Sequence, residues 1–95
     1  MSEDKALLQI NRAQRASALL NDEAFSEAVE GIKRALIERW LISKDPIERE
    51  RIWLSVNLTE QIKAALITTV NNGNVARREL EDMASGRTRK HFGVV

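Results

Sequence analysis

The chain of 95 residues contains no cysteine and only one proline. Without cysteine there are no disulfides, no thiolate nucleophile and no zinc–thiolate site, so neither a covalent link nor such a metal site can supplement the core. One proline, four glycines and a charged fraction of 31% with both signs present are typical of a soluble helical domain. A domain this short has a thin core, and its stability must come from helix packing or from partners.

Long apolar runs are also missing. No stretch approaches the roughly 20 apolar residues that a membrane-spanning helix needs. The first five residues lack the basic and apolar regions of a signal peptide. We therefore expect no membrane partner and a cytoplasmic location.

The apolar periodicity predicts an all-α fold of four helices. Ser2 is expected to cap the first helix, and Asn21 and Asp22 supply the cap signal of the second, which runs to about Ile42. The tetrapeptide Asp45-Pro46-Ile47-Glu48 combines a capping Asp, a Pro at the first helical position and a Glu at the third, which marks the start of a third helix. The bend before it makes the second and third helices a long antiparallel hairpin.

A stop signal is expected at Asn71-Asn72-Gly73, where the third helix should end. Asn74 would then cap a short fourth helix that ends at Gly86. We therefore predict one helical domain over residues 1–86, in which the first helix packs on the hairpin. Residues 87–95 form a tail that is basic first and apolar last.

The third helix carries two neighbouring apolar stripes, which is more than one hairpin arm can cover. Either the first helix folds over the hairpin or a second subunit covers the surplus, and we expect a homo-oligomer. The two tryptophans near the bend can serve as core anchors or as interface anchors. The candidate interface residues are Trp40, Trp53, Leu54, Leu58, Ile62 and Leu66.

Catalytic chemistry is not favoured by the sequence. The carboxylates lie on polar helix faces or in caps, and Glu30, Arg34 and Glu38 have the spacing of an exposed charge ladder. His91 is the only histidine and lies among Arg and Lys, with no second ligand or nucleophile nearby. No glycine-rich phosphate loop is present. We predict a protein that is not an enzyme, with no catalytic residues, no metal and no cofactor.

Nucleic-acid binding is the functional class that the residues favour most. Because the net charge is only +1, the basic surface must be local. The candidate DNA-binding residues are Arg77, Arg78, Arg87, Arg89 and Lys90, and the candidate residues for docking on a partner protein are Phe92, Val94 and Val95. A basic tail that is simply solvated is the alternative interpretation. A helix-turn-helix with Arg12 and Arg15 near its turn is less favoured, because its second helix starts with acidic residues.

Three segments support a resemblance to small proteins encoded in the head and packaging gene clusters of tailed phages. They are the run Ala16-Ser17-Ala18-Leu19-Leu20-Asn21-Asp22 ahead of Phe25, the run Arg49-Glu50-Arg51-Ile52-Trp53 that opens a long helix, and Asn72-Gly73 followed by Ala76 and Leu80. The resemblance covers most of the chain. A helical hairpin with a basic tail is similar to phage small terminase subunits, which form rings, recognise the viral genome and pass it to the large ATP-driven subunit. The chain differs from them in lacking a clear N-terminal helix-turn-helix.

This resemblance implies a homo-oligomer of the DNA-packaging or assembly apparatus. Its partners would be double-stranded DNA and a larger phage protein, in the host cytoplasm or in the virion. One alternative is a structural component of the virion, such as a head, connector or internal protein, in which the tail clamps a protein and DNA plays no part. Another is a small transcription regulator.

Overall fold

The computed structural model describes the backbone of residues 2–93 and the side chains of residues 2–85. This part of the chain is almost entirely α-helical and contains no strand, which confirms the all-α prediction. Helix α1 spans Glu3–Leu20, α2 spans Glu23–Ile42 and α3 spans Pro46–Gly93.

Each helix begins where the sequence predicts. The first backbone N–H groups of a helix have no partner within it, so a side-chain oxygen just before the helix stabilises its start. Ser2, Asp22 and Asp45 supply that oxygen, and each accepts a hydrogen bond from a backbone N–H of the first turn, at 3.2, 2.8 and 3.1 Å. The predicted end of α2 at Ile42 is also confirmed.

The predicted stop at Asn71-Asn72-Gly73 is wrong, because α3 continues through it to Gly93. A glycine that ends a helix usually adopts the left-handed backbone conformation. None of the glycines in the described backbone has a positive φ. Asn74 and Gly86 therefore lie inside α3, and the separate fourth helix is replaced by a continuation of the third.

The chain divides into two compact units. The first unit consists of Met1–Ser17 and Ile67–Val95, which are most of α1 and the later part of α3. The second consists of Ala18–Leu66 and contains α2 and the earlier part of α3. The predicted domain boundary after Gly86 falls inside α3 and stays a prediction.

In the first unit, α1 packs on α3 through small residues. A Cβ atom on Gly73 would lie 2.1 Å from the Cβ of Ala13 and 3.1 Å from the carbonyl oxygen of Gln9. Position 73 is therefore a glycine because α1 occupies the space of its side chain. The buried residues of this small-residue seam are Ala6, Ala13, Ala16, Gly73 and Ala76.

In the second unit, α2 and α3 form the predicted antiparallel hairpin. Its arms are joined by three ion pairs, Arg39–Glu48 at 2.6 Å, Lys33–Glu60 at 2.6 Å and Glu30–Lys63 at 3.2 Å. Glu30 lies three residues before Lys33 on α2, whereas its partner Lys63 lies three residues after Glu60 on α3. Only two arms that run in opposite directions give this order of partners. Val29 and Ile52 are the two buried residues of this unit.

The bend differs from the expected capping arrangement in one respect. In a capping box the third-position Glu would accept a hydrogen bond from the backbone N–H of the capping residue. Here the Asp45 N–H donates to Ser43 Oγ at 3.3 Å, and Glu48 pairs with Arg39 of the other arm. The Glu that the sequence assigns to the cap thus connects the two arms.

Arg49 closes the bend from the α3 side. Its guanidinium lies over the Trp40 ring, 3.6 Å from the ring centroid. Its Nη1 donates to the carbonyl oxygen of Trp40 at 2.7 Å and to that of Ser43 at 3.0 Å. The last carbonyls of a helix lack partners within the helix, so one side chain of α3 stabilises the end of α2.

Candidate nucleic-acid and assembly surfaces

Arg77 and Arg78 are both exposed on α3 of the first unit. Neither takes part in the three ion pairs found among residues 2–85. Two adjacent cations held on a helix and free of carboxylate partners can contact phosphate. Three acidic residues follow them, the half-buried Glu79 and the exposed Glu81 and Asp82, and they reduce the local positive charge.

The rest of the predicted functional tail cannot be placed in this site. The side chains of Arg87, Arg89, Lys90 and Phe92, together with residues 94–95, lie outside the described residues. Their roles in DNA binding and in docking stay predictions.

The hairpin leaves large apolar side chains exposed. Ile52 is buried, whereas Leu58 keeps 61% of its surface exposed. Leu54 and Ile62 belong to the same exposed stripe. Of the two apolar stripes that the sequence predicts on α3, the one with Leu54, Leu58 and Ile62 is exposed, and the hairpin itself does not cover it.

The candidate interface residues do not all share one side of α3. With 3.6 residues per turn, Leu58 lies about 120° from Ile52 in one direction, and Trp53 lies about 100° away in the other. Trp53 is 58% exposed, whereas Trp40 and Leu66 are half-buried. The hairpin thus has two distinct sides, one next to Leu58 and one next to Trp53.

One side of the hairpin is charged, and it includes Trp53. The Lys33–Glu60 and Glu30–Lys63 pairs lie on it. The hydrogen bond from Lys33, together with its charge, lowers the pKa of Glu60. The same contact raises the pKa of Lys33. These shifts come from a half-exposed ion pair across two helices, and they do not require a catalytic pocket.

The other side of the hairpin carries the Arg39–Glu48 pair near the bend, but no charged residue along residues 24–35 of α2 and 54–66 of α3. We call it the charge-free side. The helical positions place Ile32 and Leu58 at its centre, and both are more than half exposed. Its apolar members are Ala24, Phe25, Ala28, Ile32, Ala35, Leu54, Leu58, Ile62, Ala65 and Leu66.

Two hydroxyl groups lie on the charge-free side, and each has a partner in its own helix. Ser55 Oγ donates to the carbonyl oxygen of Arg51 at 2.9 Å. Thr59 Oγ1 donates to the carbonyl oxygen of Ser55 at 2.9 Å. A surface that covers this side would therefore leave no hydroxyl donor without a partner.

A groove of about 270 Å³ lies near the bend on the charged side of the hairpin. Its walls are Ile37 and Trp40 of α2 and Trp53 and Val56 of α3. None of these four side chains can act as an acid, a base or a nucleophile. The groove can hold an apolar group, but its walls supply no catalytic side chain.

Among the described residues, no group of three or more acidic or histidine side chains could hold a metal ion. The same part of the chain contains no helix long and apolar enough to cross a membrane. The sequence matches no protein-family model, and comparisons with curated proteins and with solved structures give no significant match. The features of the chain itself therefore carry the functional argument.

Several residues that hold the hairpin together escaped the sequence analysis. Glu30 was expected to pair with Arg34 along α2, but it pairs across the hairpin with Lys63. A signal was present, because Glu-x-x-Lys occurs once on each arm, at 30–33 and at 60–63. Arg49 had no comparable signal, since its role depends on the carbonyls that the bend brings near it.

Proposed function

We propose that this protein is a non-enzymatic homo-oligomer of a phage DNA-packaging or assembly apparatus, similar to a small terminase subunit. The observation that carries the DNA-binding part is the pair Arg77 and Arg78, exposed on α3 and free of ion pairs among the described residues. Arg87, Arg89 and Lys90 follow them in the sequence and extend the basic region.

The assembly part of the proposal is supported by the exposed apolar surface of the hairpin. Leu54, Leu58 and Ile62 lose water-exposed apolar area only if another surface covers them. Burial of such side chains is the main favourable term in most protein associations. Phe92, Val94 and Val95 are proposed to dock on a larger phage protein.

Duplex binding measured at several salt concentrations tests the DNA part. We expect affinity at low salt that falls steeply as salt rises, because bound arginines release counterions from the phosphates. The double variant Arg77→Gln/Arg78→Gln should reduce the slope of log affinity against log salt by about 2. Negligible affinity of the unaltered protein at low salt would exclude a DNA-packaging adaptor.

The matched control removes two other exposed arginines, Arg12 and Arg15, in the variant Arg12→Gln/Arg15→Gln. This control lowers the net charge by the same amount as Arg77→Gln/Arg78→Gln, and it should leave the slope of log affinity against log salt unchanged. A loss confined to this control would favour the transcription-regulator alternative, with the first two helices on DNA. Those helices are joined by Asn21 and Asp22 alone, whereas the turn of a helix-turn-helix has three or four residues.

A second candidate function is a structural protein of the virion without DNA recognition. The exposed Glu81 and Asp82 next to the arginine pair favour it, because they weaken attraction to phosphate. Absence of DNA binding together with a defined oligomer is the outcome that this alternative predicts.

A further inference from the structure

We propose that the charge-free side of the hairpin binds a second copy of this chain around a twofold axis parallel to the helices. The inference deepens the homo-oligomeric assembly proposed above and rests on it. It specifies the surface, the occupant and the symmetry. It also divides the candidate interface residues, because Leu54, Leu58 and Ile62 belong to this contact, whereas Trp53 lies on the other side.

The dimensions of this surface match a hairpin better than a single helix. The charge-free side covers residues 54–66 of α3, which corresponds to about 20 Å of helix. It is two helices wide, because α2 contributes residues 24–35. A single helix is about 10 Å across and would cover only half of it. A second hairpin covers both halves.

The two halves of the surface are complementary to each other. The α2 half is lined mainly by alanines, with Ile32 as its largest central side chain. The α3 half carries the larger row of Leu54, Leu58 and Ile62. A twofold axis parallel to the helices places α2 of each copy against α3 of the other at the same level, so Leu58 meets Ala35 of the partner subunit and Ile62 meets Gly31 of the partner subunit. Facing rows of large and small residues are the usual way in which helical cores interdigitate.

The direction of the helices is also suitable. In this arrangement α2 of one copy runs antiparallel to α3 of the other, as it does to α3 of its own chain. The four helices then form a bundle in which every neighbouring pair is antiparallel. Residues 28 and 65 lie at the same level of the hairpin, because they continue the register of the Glu30–Lys63 pair. Ala28 of one copy therefore faces Ala65 of the partner subunit.

Most of the surface can be covered without a polar penalty. Along residues 24–35 and 54–66 it carries no charge, and the hydroxyls of Ser55 and Thr59 already donate to carbonyls of their own helix. The Arg39–Glu48 pair lies next to the bend at the level of Leu54 and marks the edge of the surface. The charged side of the same hairpin has the opposite character, since Lys33, Glu60 and Lys63 all lie on it. This difference selects one side of the hairpin as the contact between copies.

Light scattering after size-exclusion chromatography, performed at several concentrations, tests the proposal. The unaltered chain should have the mass of a dimer or of a whole number of dimers. Leu58→Glu should weaken association about a hundredfold or more, because the buried carboxylate appears twice in a twofold contact. The matched control is Leu41→Glu, at a leucine on the other side of the hairpin that is 68% exposed, and it should change association less than about threefold.

Circular dichroism of both variants checks that they keep their helices. A monomer at all concentrations, an odd number of subunits, or equal effects of the two variants would each overturn the proposal. Because these measurements contain no DNA, a failure of DNA binding leaves their outcome unaffected. A failure of dimerisation through this face would in turn leave the DNA measurements interpretable.

Cross-linking provides a second test that does not depend on a disruptive substitution. The chain has no cysteine, so Ala28→Cys and Ala65→Cys can be introduced in separate proteins. Oxidation of the mixture should yield a disulfide-linked dimer that contains one copy of each variant. Cross-linking of each variant only to itself, or of neither, would contradict the proposed twofold arrangement.

Discussion

The two units of this protein pack their helices by different means. In the first unit, the small-residue seam lets α1 approach α3 so closely that a Cβ on Gly73 would overlap Ala13. In the second unit, the arms of the hairpin are joined by long charged side chains, and only Val29 and Ile52 are buried, with 9% and 7% of their surface exposed. Close contact specifies the first pairing by shape, and charge contributes much of the specificity of the second.

This difference determines how each unit responds to substitution. A tightly packed seam has no room for an added atom, so even one methyl group forces helices apart. Half-exposed ion pairs contribute little free energy, because water screens them. We therefore expect the largest effects of single substitutions in the seam, smaller ones at the bend and the smallest in the ion pairs.

The substitution Gly73→Ala should have the largest effect. Its new methyl group would meet Ala13 at a distance that no packing adjustment of side chains alone can relieve. Overpacking of this kind costs about 1 to 3 kcal/mol, and the severe overlap places Gly73→Ala near a net loss of 2 kcal/mol. For a domain of this size the unfolding midpoint should fall by roughly 10 °C, as measured by thermal circular dichroism.

The matched control is Gly31→Ala in α2. A Cβ on Gly31 has no neighbour within 4 Å, so nothing opposes the added methyl group. Alanine is favoured over glycine in a helix by about 0.8 to 1 kcal/mol, and we expect the midpoint to rise by a few degrees. If both substitutions moved the midpoint in the same direction, the seam would not be the close contact described here.

Arg49→Met should have the second largest effect. It removes two hydrogen bonds from a charged donor to carbonyls at the end of α2, and a cation–π contact with Trp40. We expect a loss of about 1.5 to 2 kcal/mol in chemical denaturation. Arg34→Met, at an exposed arginine of the same hairpin, is the control and should stay within about 0.5 kcal/mol of the unaltered protein. Equal losses in the two variants would mean that Arg49 acts only through its charge.

The Lys33–Glu60 pair should have the smallest effect, visible mainly as a dependence on pH. Lys33 lowers the pKa of Glu60 below its ordinary value of 4.5, so the pair stabilises the fold above that pH and this contribution is lost as pH falls through the lowered pKa. The pKa of Lys33 is raised above 10.5, so its contribution is full below that value and is lost as pH rises through the raised pKa.

Denaturation of Glu60→Gln across pH measures this contribution. The stability difference between the unaltered protein and the variant should be constant from about pH 6 to 9 and should shrink below the ordinary glutamate pKa of 4.5. The control is Glu50→Gln, at an exposed carboxylate outside the three ion pairs. A difference that persists unchanged at pH 2 would show that the pair does not stabilise the fold through charge.

The local features of the fold could be predicted from the sequence. Ser2, Asp22 and Asp45 cap their helices by interactions within a few residues, so their signals are complete in the sequence. Gly73 misled the prediction, because a glycine after two asparagines is a typical helix end. Position 73 requires a glycine because Ala13 packs against it. Ala13 lies 60 positions earlier in the sequence and contacts Gly73 only through tertiary packing.

The candidate surfaces were predictable to a similar extent. The apolar stripe of Leu54, Leu58 and Ile62 follows from helical periodicity, and the structure leaves it exposed. The predicted interface residues include Trp53 together with this stripe, although the helical geometry places Trp53 on the other side of the buried Ile52. That separation depends on where α2 lies against α3, and no local pattern contains it.

The two Glu-x-x-Lys motifs of the hairpin also favour one alignment of its two arms. If α3 slid three residues along α2 in one direction, Glu30 would face Glu60. If it slid three residues in the other direction, Lys33 would face Lys63. Each of these two shifted alignments therefore brings like charges together, whereas the observed alignment forms two pairs of opposite charges. Four residues that add little to the stability of the finished hairpin thus penalise the two misaligned forms closest to it.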